Sequence, residues 1–169
     1  MQSLTRSLCW AWHFLTIIPI PFIGQVEPSS RELARSMRWY PVVGYVLGSG
    51  LALLDRGFAA VVPPEARALL IVAALVVVTG GLHQDGLADT VDGLAKRGTP
   101  EERLGAMRDS RIGALGATAL VLTLGLRYTG LLALVPSDWP FVLVCMPAIG
   151  RWSMVIGAYG VPYARSQGG

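Results

Sequence analysis

The chain has 169 residues, of which 53% are hydrophobic and only 15% are charged. So little charge cannot cover the surface of a soluble domain of this length, and the composition therefore predicts an integral membrane protein. Fourteen basic and eleven acidic residues leave a net charge of +3 that is spread in patches, which excludes a basic face for nucleic acid. Cys9 and Cys145 lie in separate apolar segments, without the spacing of a zinc site or a disulfide framework.

The first apolar stretch, residues 8–23, is short. Because Pro19 and Pro21 interrupt its helix, it is predicted to be interfacial or re-entrant. Four later segments are long enough to cross a hydrocarbon core of roughly 30 Å. Gly44 and Gly48 in the first of them have the spacing that lets two membrane helices approach closely. We therefore expect an all-α polytopic transmembrane bundle that forms a single membrane domain over residues 1–169, with spans at residues 39–62, 66–82, 112–135 and 139–161.

The basic residues of the loops predict how the bundle is oriented. Arg31, Arg35 and Arg38 precede the first span, and five further Lys and Arg residues follow the second, within residues 96–111. Two crossings bring both loops to the same side, which the positive-inside rule assigns to the cytoplasm. The three arginines share one face of a short predicted helix, and lipid head groups are their expected partners.

Acidic residues are concentrated just after the second span. Residues 83–111 hold six of the eleven acids and five of the fourteen bases. Asp85, Asp89 and Asp92 are spaced so that a helix over residues 81–94 would carry all three on one face. Three like charges would repel one another there, and a divalent cation such as Mg²⁺ or Mn²⁺ would relieve the conflict. The alternative is a solvated helix face with neutralising arginine partners.

A second helix is predicted to begin after Thr99, because Thr99 and Glu102 form a capping box around a proline. Residues 29–32 have the same capping pattern. The helix is expected to continue to Arg111 and to carry Arg103 and Arg108. Guanidinium groups bind phosphate oxygens bidentately, so these arginines suit a phosphoanhydride substrate. They are equally consistent with a simple positive-inside signal.

Arg151 is predicted to lie in the middle of the fourth span. A charge at that depth is costly in lipid, so Arg151 should face the protein interior or a wet cavity and contact substrate or a carboxylate. Arg127, in the third span, carries the same but weaker expectation.

The aspartate-rich segment resembles the CDP-alcohol phosphotransferase signature, in which carboxylates on membrane helices hold metal ions while an alcohol displaces a nucleoside monophosphate. The matching residues are Asp89, Asp92 with Gly93, and later Asp109. The chain departs from that signature at Lys96, where the family has Arg, and at Gly113, where its last Asp would stand. On this alternative, which is a phospholipid synthase, Asp85 is the candidate for the missing carboxylate.

A longer resemblance covers essentially the whole chain. It is carried by residues 79–94 (TGGLHQDGLADTVDGL) and 107–113 (MRDSRIG), with FLTIIPIP at 14–21, YPVVG at 40–44 and PYAR at 162–165. Through these motifs the chain resembles the cobalamin synthase family, the adenosylcobinamide-GDP ribazoletransferases. Members of that family continue beyond the last motif with further transmembrane helix, so the resemblance implies that this chain ends short of the family's C-terminus.

The resemblance implies an enzyme of the bacterial inner membrane that joins adenosylcobinamide-GDP to α-ribazole or its 5′-phosphate. The reaction releases GMP, requires Mg²⁺ and yields adenosylcobalamin or its 5′-phosphate. Membrane lipid is an implied partner, and assembly with a second copy or with other corrinoid-pathway enzymes stays open. Carried over to this chain, the metal ligands are Asp85, Asp89, Asp92 and Asp109, joined in catalysis by His83, and the substrate-binding residues are Arg103, Arg108, Arg111, Arg151 and Arg165.

Two expectations remain open within this reading. His83 lies two residues before Asp85, so on a helix it points away from the acidic face. It can act as a base or contact substrate, or it can be a helix-end histidine with a backbone partner. A small cation transporter is the remaining rival function, and it would place the aspartates near the bilayer midplane instead of beyond the end of a span.

Overall fold

The structure is a computed structural model that describes residues 2–20, 28–160 and 164. Every regular element within those residues is helical, which confirms the all-α prediction. Short 3₁₀ helices precede two of the α-helices, at Met37–Trp39 and Pro136–Asp138. The α-helices of the described residues are α1 (Gln2–Leu15), α2 (Ser30–Ser36), α3 (Tyr40–Phe58), α4 (Pro64–Val78), α5 (Leu82–Ala95), α6 (Pro100–Ala106), α7 (Ala114–Leu132) and α8 (Trp139–Gly160).

Packing divides the chain into two compact units. The first consists of Met1–Ala60 and Ser137–Gly169, and the second of Val61–Pro136. Such units can occur within one membrane domain, so the single domain expected from the sequence stays a prediction.

In the first unit, α3 packs closely against α8. A Cβ atom at Gly44 would collide with the carbonyl oxygen of Pro147, and one at Gly48 with that of Leu143. Both glycines are buried, and the two helices approach at these positions because no side chain keeps them apart. The close approach predicted from the Gly44 and Gly48 spacing is confirmed.

The beginning of the first unit is α1, which ends at Leu15, before Pro19. The helix break expected from the prolines is therefore present, although residues 21–23 of the predicted apolar stretch lie outside the described residues. α1 packs against α2 and against the start of α3, where Phe14 stacks on Tyr40 with ring centroids 5.7 Å apart.

In the second unit, α5 and α4 pack against α7, and α6 packs against α5. The predicted span over residues 66–82 is wrong at its end, since α4 stops at Val78. Gly80 and Gly81 follow with φ angles of +60° and +73°, values that glycine adopts without the Cβ penalty. The chain turns there, and α4 and α5 meet at an angle of 84°.

Among the described residues, α7 and the segment Pro136–Gly160 are each long and apolar enough to cross a membrane. The pair α4 and α5 meets the same requirement only as one bent span. The four predicted spans thus reduce to two or three. α3 falls outside that set because Asp55, Arg56 and several glycines lower the mean hydropathy of its 19 residues.

Candidate functional site

The contact that organises the second unit joins Asp92 of α5 to the beginning of α7. The carboxylate oxygen Oδ2 of Asp92 accepts a hydrogen bond from the backbone N–H of Gly113 at 2.7 Å, and Oδ1 accepts one from Gly116 at 2.8 Å. The first N–H groups of a helix have no partner within the helix, and their partial positive charge favours an anion. Gly113, at the N-cap position of α7, has no side chain to do this, so Asp92 caps α7 from another helix.

Two glycines make room for this carboxylate. A Cβ atom at Gly113 or at Gly116 would collide with the Asp92 carboxylate, and one at Gly116 would also lie 2.9 Å from the carbonyl oxygen of Ala88. From the sequence, Gly113 is identified only as the position of an absent acid, and Gly116 carries no prediction. Their spacing of three at the start of an apolar helix was the available signal.

Asp85 and Asp89 lie on the preceding turns of α5, one turn apart, and are called the acidic pair below. Asp85 is exposed and Asp89 is half-buried. Neither side chain forms a hydrogen bond or an ion pair with a residue that the structure describes. The helix predicted for residues 81–94 is confirmed by α5. The acidic pair is therefore open to a ligand, whereas both oxygens of Asp92 are bonded to α7.

Asp109 lies apart from helix structure and pairs with Arg111. Its Oδ2 is 2.8 Å from Nη2 of Arg111, and its Oδ1 accepts hydrogen bonds of 3.1 Å from both Nε and the backbone N–H of Arg111. These hydrogen bonds lower the pKa of Asp109 to about 2 and raise that of Arg111. Over the described residues, no three His, Cys, Asp or Glu side chains are grouped closely enough to hold a metal ion. The four predicted ligands are thus not brought together.

The same contact corrects the predicted second helix. α6 ends at Ala106, so Arg108 and Arg111 lie in turns and not on a helix. A short Asp side chain that bonds the backbone two residues ahead stabilises a turn in competition with helix, which explains the early end. The predicted start is confirmed, since Thr99 and Glu102 form both hydrogen bonds of the capping box.

The arginines of this region face solvent. Arg103 lies on α6 and Arg108 follows it, and both side chains are exposed. α6 is held against α5 at Gly93, where a Cβ atom would collide with the side chain of Met107. α6, which packs against α5, thus carries Arg103, and the turn that follows it carries Arg108. Neither side chain forms a hydrogen bond or an ion pair with a described residue.

His83 lies on the side of α5 that faces α7. It lines a cavity of about 10 Å³ whose other walls include Leu87, Leu120 and Arg127. That volume is close to the minimum for a single water molecule, so the cavity is too small for a substrate. Asp85 does not line it and is exposed. Arg127 is also exposed.

Arg151 belongs to the first unit, and its side chain is only 5% exposed. It follows Leu143 and Pro147 on the buried face of α8. The expectation that Arg151 faces the protein interior is confirmed. Arg165 lies outside the described residues.

Comparison with known proteins decides the family. The model of the cobalamin-5-phosphate synthase family matches residues 7–169, nearly the whole chain. The chain belongs to the cobalamin-5-phosphate synthase family. This confirms the resemblance found in the sequence and favours neither the CDP-alcohol phosphotransferase nor the transporter alternative.

Curated relatives agree with this membership. An adenosylcobinamide-GDP ribazoletransferase of Desulfitobacterium hafniense is 42% identical over 166 residues, which cover 96% of this chain and 65% of the relative. A ribazoletransferase of the same name from Geotalea daltonii is 45% identical over 158 residues, which cover 94% of this chain and 63% of the relative. Another from Syntrophobacter fumaroxidans is 40% identical over 159 residues, which cover 94% of this chain and 64% of the relative. The chain thus spans just under two thirds of the length of these relatives. No solved structure is significantly similar to it.

In this member of the cobalamin-5-phosphate synthase family, the matched range contains the acidic pair and the residues that join Asp92 to α7. A bacterial origin agrees with the organisms of these relatives. The apolar helices agree with a membrane protein.

Proposed function

We propose that the protein joins adenosylcobinamide-GDP to α-ribazole or to α-ribazole 5′-phosphate. A hydroxyl of the ribazole sugar attacks the phosphorus that carries the cobinamide arm, the diphosphate bond breaks, and GMP leaves. The product is adenosylcobalamin or its 5′-phosphate. The observation that carries this proposal is the acidic pair, which has no hydrogen bond or ion pair with a described residue and lies inside a family match to enzymes named for this transfer.

Mg²⁺ is the proposed cofactor, and the carboxylates of the acidic pair are donors that suit it. Mg²⁺ is often held by only one or two carboxylates, with substrate phosphates and water completing its coordination. Asp85 and Asp89, one turn apart and free of hydrogen bonds to the described residues, fit that mode. Asp92 fits it less well because both of its oxygens already accept backbone N–H groups. When bound, the ion would neutralise charge on the diphosphate.

The remaining site residues are proposed to act around the diphosphate. Phosphoryl transfer depends mainly on positioning and on neutralising oxygen charge. Arg103 and Arg108 are exposed and suit this task, whereas the Arg111 guanidinium is already paired with Asp109. His83 is proposed to position α5 or to accept the proton of the attacking hydroxyl. For Arg151 and Arg165 we propose contacts with substrate.

We further propose that the protein lies in the bacterial inner membrane with its active-site loops on the cytoplasmic side. The number of Lys and Arg residues in the segments around α2 and α6 supports this orientation. Membrane lipid would surround α7, where Val121 and Leu126 are 72% and 71% exposed. Assembly with a second copy or with other corrinoid-pathway enzymes is part of the same proposal.

The experiment is to incubate the complete purified protein in detergent with Mg²⁺, adenosylcobinamide-GDP and either form of α-ribazole, and to measure GMP by chromatography. Release of GMP that requires both substrates supports the proposal. A parallel incubation with a CDP-alcohol and an alcohol acceptor measures CMP. Release of CMP with no release of GMP would overturn the proposal in favour of the phospholipid synthase.

A further inference from the structure

The first unit contains a cavity of about 320 Å³ between α1 and α2. This volume is at the lower end of the range of ligand pockets, roughly 300–1,000 Å³. Residues from consecutive turns of α1 form one wall. The opposite wall is formed by α2 and by the 3₁₀ helix that follows it. The polar and aromatic residues that line it are Arg6, Ser7, Trp10, Glu32, Arg35 and Arg38.

The cavity carries excess positive charge. Three guanidinium groups line it and one carboxylate, that of Glu32, opposes them. Hydrogen bonds from the backbone N–H and the hydroxyl of Ser29 to Oε2 of Glu32 hold the pKa of Glu32 below its usual value, so the group is ionised. Its other oxygen lies 3.3 Å from Nε of Arg6. Glu32 therefore neutralises Arg6 first, and Arg35 and Arg38 supply most of the remaining charge.

The two remaining arginines are available to a ligand. Arg35 forms no hydrogen bond or ion pair with a described residue. Within the part of the chain that the structure describes, Arg38 donates one hydrogen bond, to the hydroxyl of Ser7 at 3.2 Å. That hydroxyl also accepts a hydrogen bond from the Trp39 indole at 2.9 Å and donates to the Leu4 carbonyl at 3.0 Å, so it is fixed in place. Ser7 thereby holds the Arg38 side chain at the cavity, while most of its guanidinium donors stay unused.

We propose that this cavity binds the phosphate group of a phosphorylated ligand. Guanidinium groups bind phosphate oxygens bidentately, and both carboxylate oxygens of Glu32 already have partners, Oε2 in Ser29 and Oε1 in Arg6. Leu4 and Trp10 provide apolar walls for the group attached to the phosphate. The phosphate can come from a lipid head group or from a soluble phosphate ester. The proposal does not depend on the proposed function.

The structure also distinguishes residues that the sequence grouped together. Arg31, Arg35 and Arg38 were expected to share one lipid-facing surface, but Arg31 does not line the cavity. Arg31 lies on the same short helix as Arg35 and is also exposed. It is therefore a matched control for charge, position and exposure.

The test is isothermal titration calorimetry on the complete protein in a neutral detergent, with inorganic phosphate in one arm and dihexanoyl phosphatidylglycerol in the other. Saturable binding of inorganic phosphate supports a soluble ligand, and saturable binding of the lipid alone supports a head group. In the responding arm, Arg35→Gln should weaken binding by about tenfold or more, since a hydrogen bond to a charged group is lost. Arg31→Gln should stay within about twofold of the unaltered protein.

The proposal is overturned if neither probe binds saturably, or if Arg31→Gln weakens binding as much as Arg35→Gln does. The second outcome would mean a diffuse attraction to positive charge. Arg35→Gln decides the test because this side chain has no hydrogen bond with a described residue to lose, and circular dichroism would verify that the variant retains its helix content. Binding that remains in Arg35→Gln at full strength also counts against the cavity, since phosphate would then be bound elsewhere.

Discussion

The backbone N–H of Gly116 donates a 2.8 Å hydrogen bond to the carboxylate of Asp92, across 24 residues of chain. This contact fixes the last turns of α5 against the first turn of α7. It also separates two functions within one row of aspartates. Asp92 stabilises a helix junction, whereas Asp85 and Asp89 stay accessible to a ligand.

Asp92→Asn should destabilise the fold. An amide has only one oxygen, so one of the two N–H groups now capped by Asp92 would lose its acceptor, and the charge that complements the end of α7 would disappear. We expect a loss of about 0.5–2 kcal/mol, the usual range for a lost N-cap. The SDS concentration that unfolds half of the protein in mixed micelles measures it.

Asp89→Asn should leave the stability of the fold unchanged and abolish the proposed activity. The side chain forms no hydrogen bond with a described residue, so the unfolding midpoint should match that of the unaltered protein, while the rate of GMP release falls below detection. Asp138→Asn, an exposed acid of the Pro136–Asp138 turn, is the control and should keep full activity. Near-normal turnover by Asp89→Asn would remove this residue from the proposed metal ligands.

Gly116→Ala should separate α5 from α7. Its new methyl group would overlap the Asp92 carboxylate, and overpacking of this kind costs about 1–3 kcal/mol. Gly125→Ala on the same helix has open space around it and should be neutral or stabilising. Unfolding of both variants in SDS compares them directly, and equal midpoints would contradict the described junction.

The first unit offers a similar comparison on α3. Gly48→Ala should destabilise the contact with α8, because the added Cβ would collide with the Leu143 carbonyl oxygen. Gly50→Ala, two residues further along, meets no atom within 4 Å. A disulfide cross-linking assay between cysteines placed on α3 and α8 should lose yield in the first variant only.

The Asp109 turn should persist to low pH. The pKa of Asp109 is lowered to about 2 by its hydrogen bonds to Arg111, so the pair stabilises the fold fully above the unfolded value of 3.8. That contribution is lost as the pH falls through about 2. Carboxyl ¹³C shifts of labelled aspartate should show one group titrating near this pH, and Arg111→Ala should move it upward. A titration near 4 in the unaltered protein would exclude the pair.

Structural features that depend on nearby residues were predictable from the sequence. The capping box at Thr99 and the helix that carries Asp85 and Asp89 depend on residues within a few positions of one another, and both are present. The close approach at Gly44 was also predictable, since small residues at that spacing have few other uses in an apolar helix.

Tertiary contacts and backbone turns were not predictable in the same way. The use of Asp92 depends on the start of α7, which is more than twenty residues away in sequence. A carboxylate on a helix face has the same local pattern whether it binds a metal or caps another helix. The end of α6 had a local cause, the Asp109 side chain, but helix periodicity outweighed it in the prediction.

The sharp bend between α4 and α5 bears on where the acidic pair would lie in a membrane. Because the two axes differ by 84°, α5 would run roughly parallel to the membrane plane if α4 crossed the bilayer along its normal. The carboxylates of Asp85, Asp89 and Asp92 would then lie at similar depths in the membrane. For the proposed function, that placement would let a bulky amphiphile arrive sideways through the lipid and a nucleoside arrive from the aqueous phase, without either crossing the hydrocarbon interior.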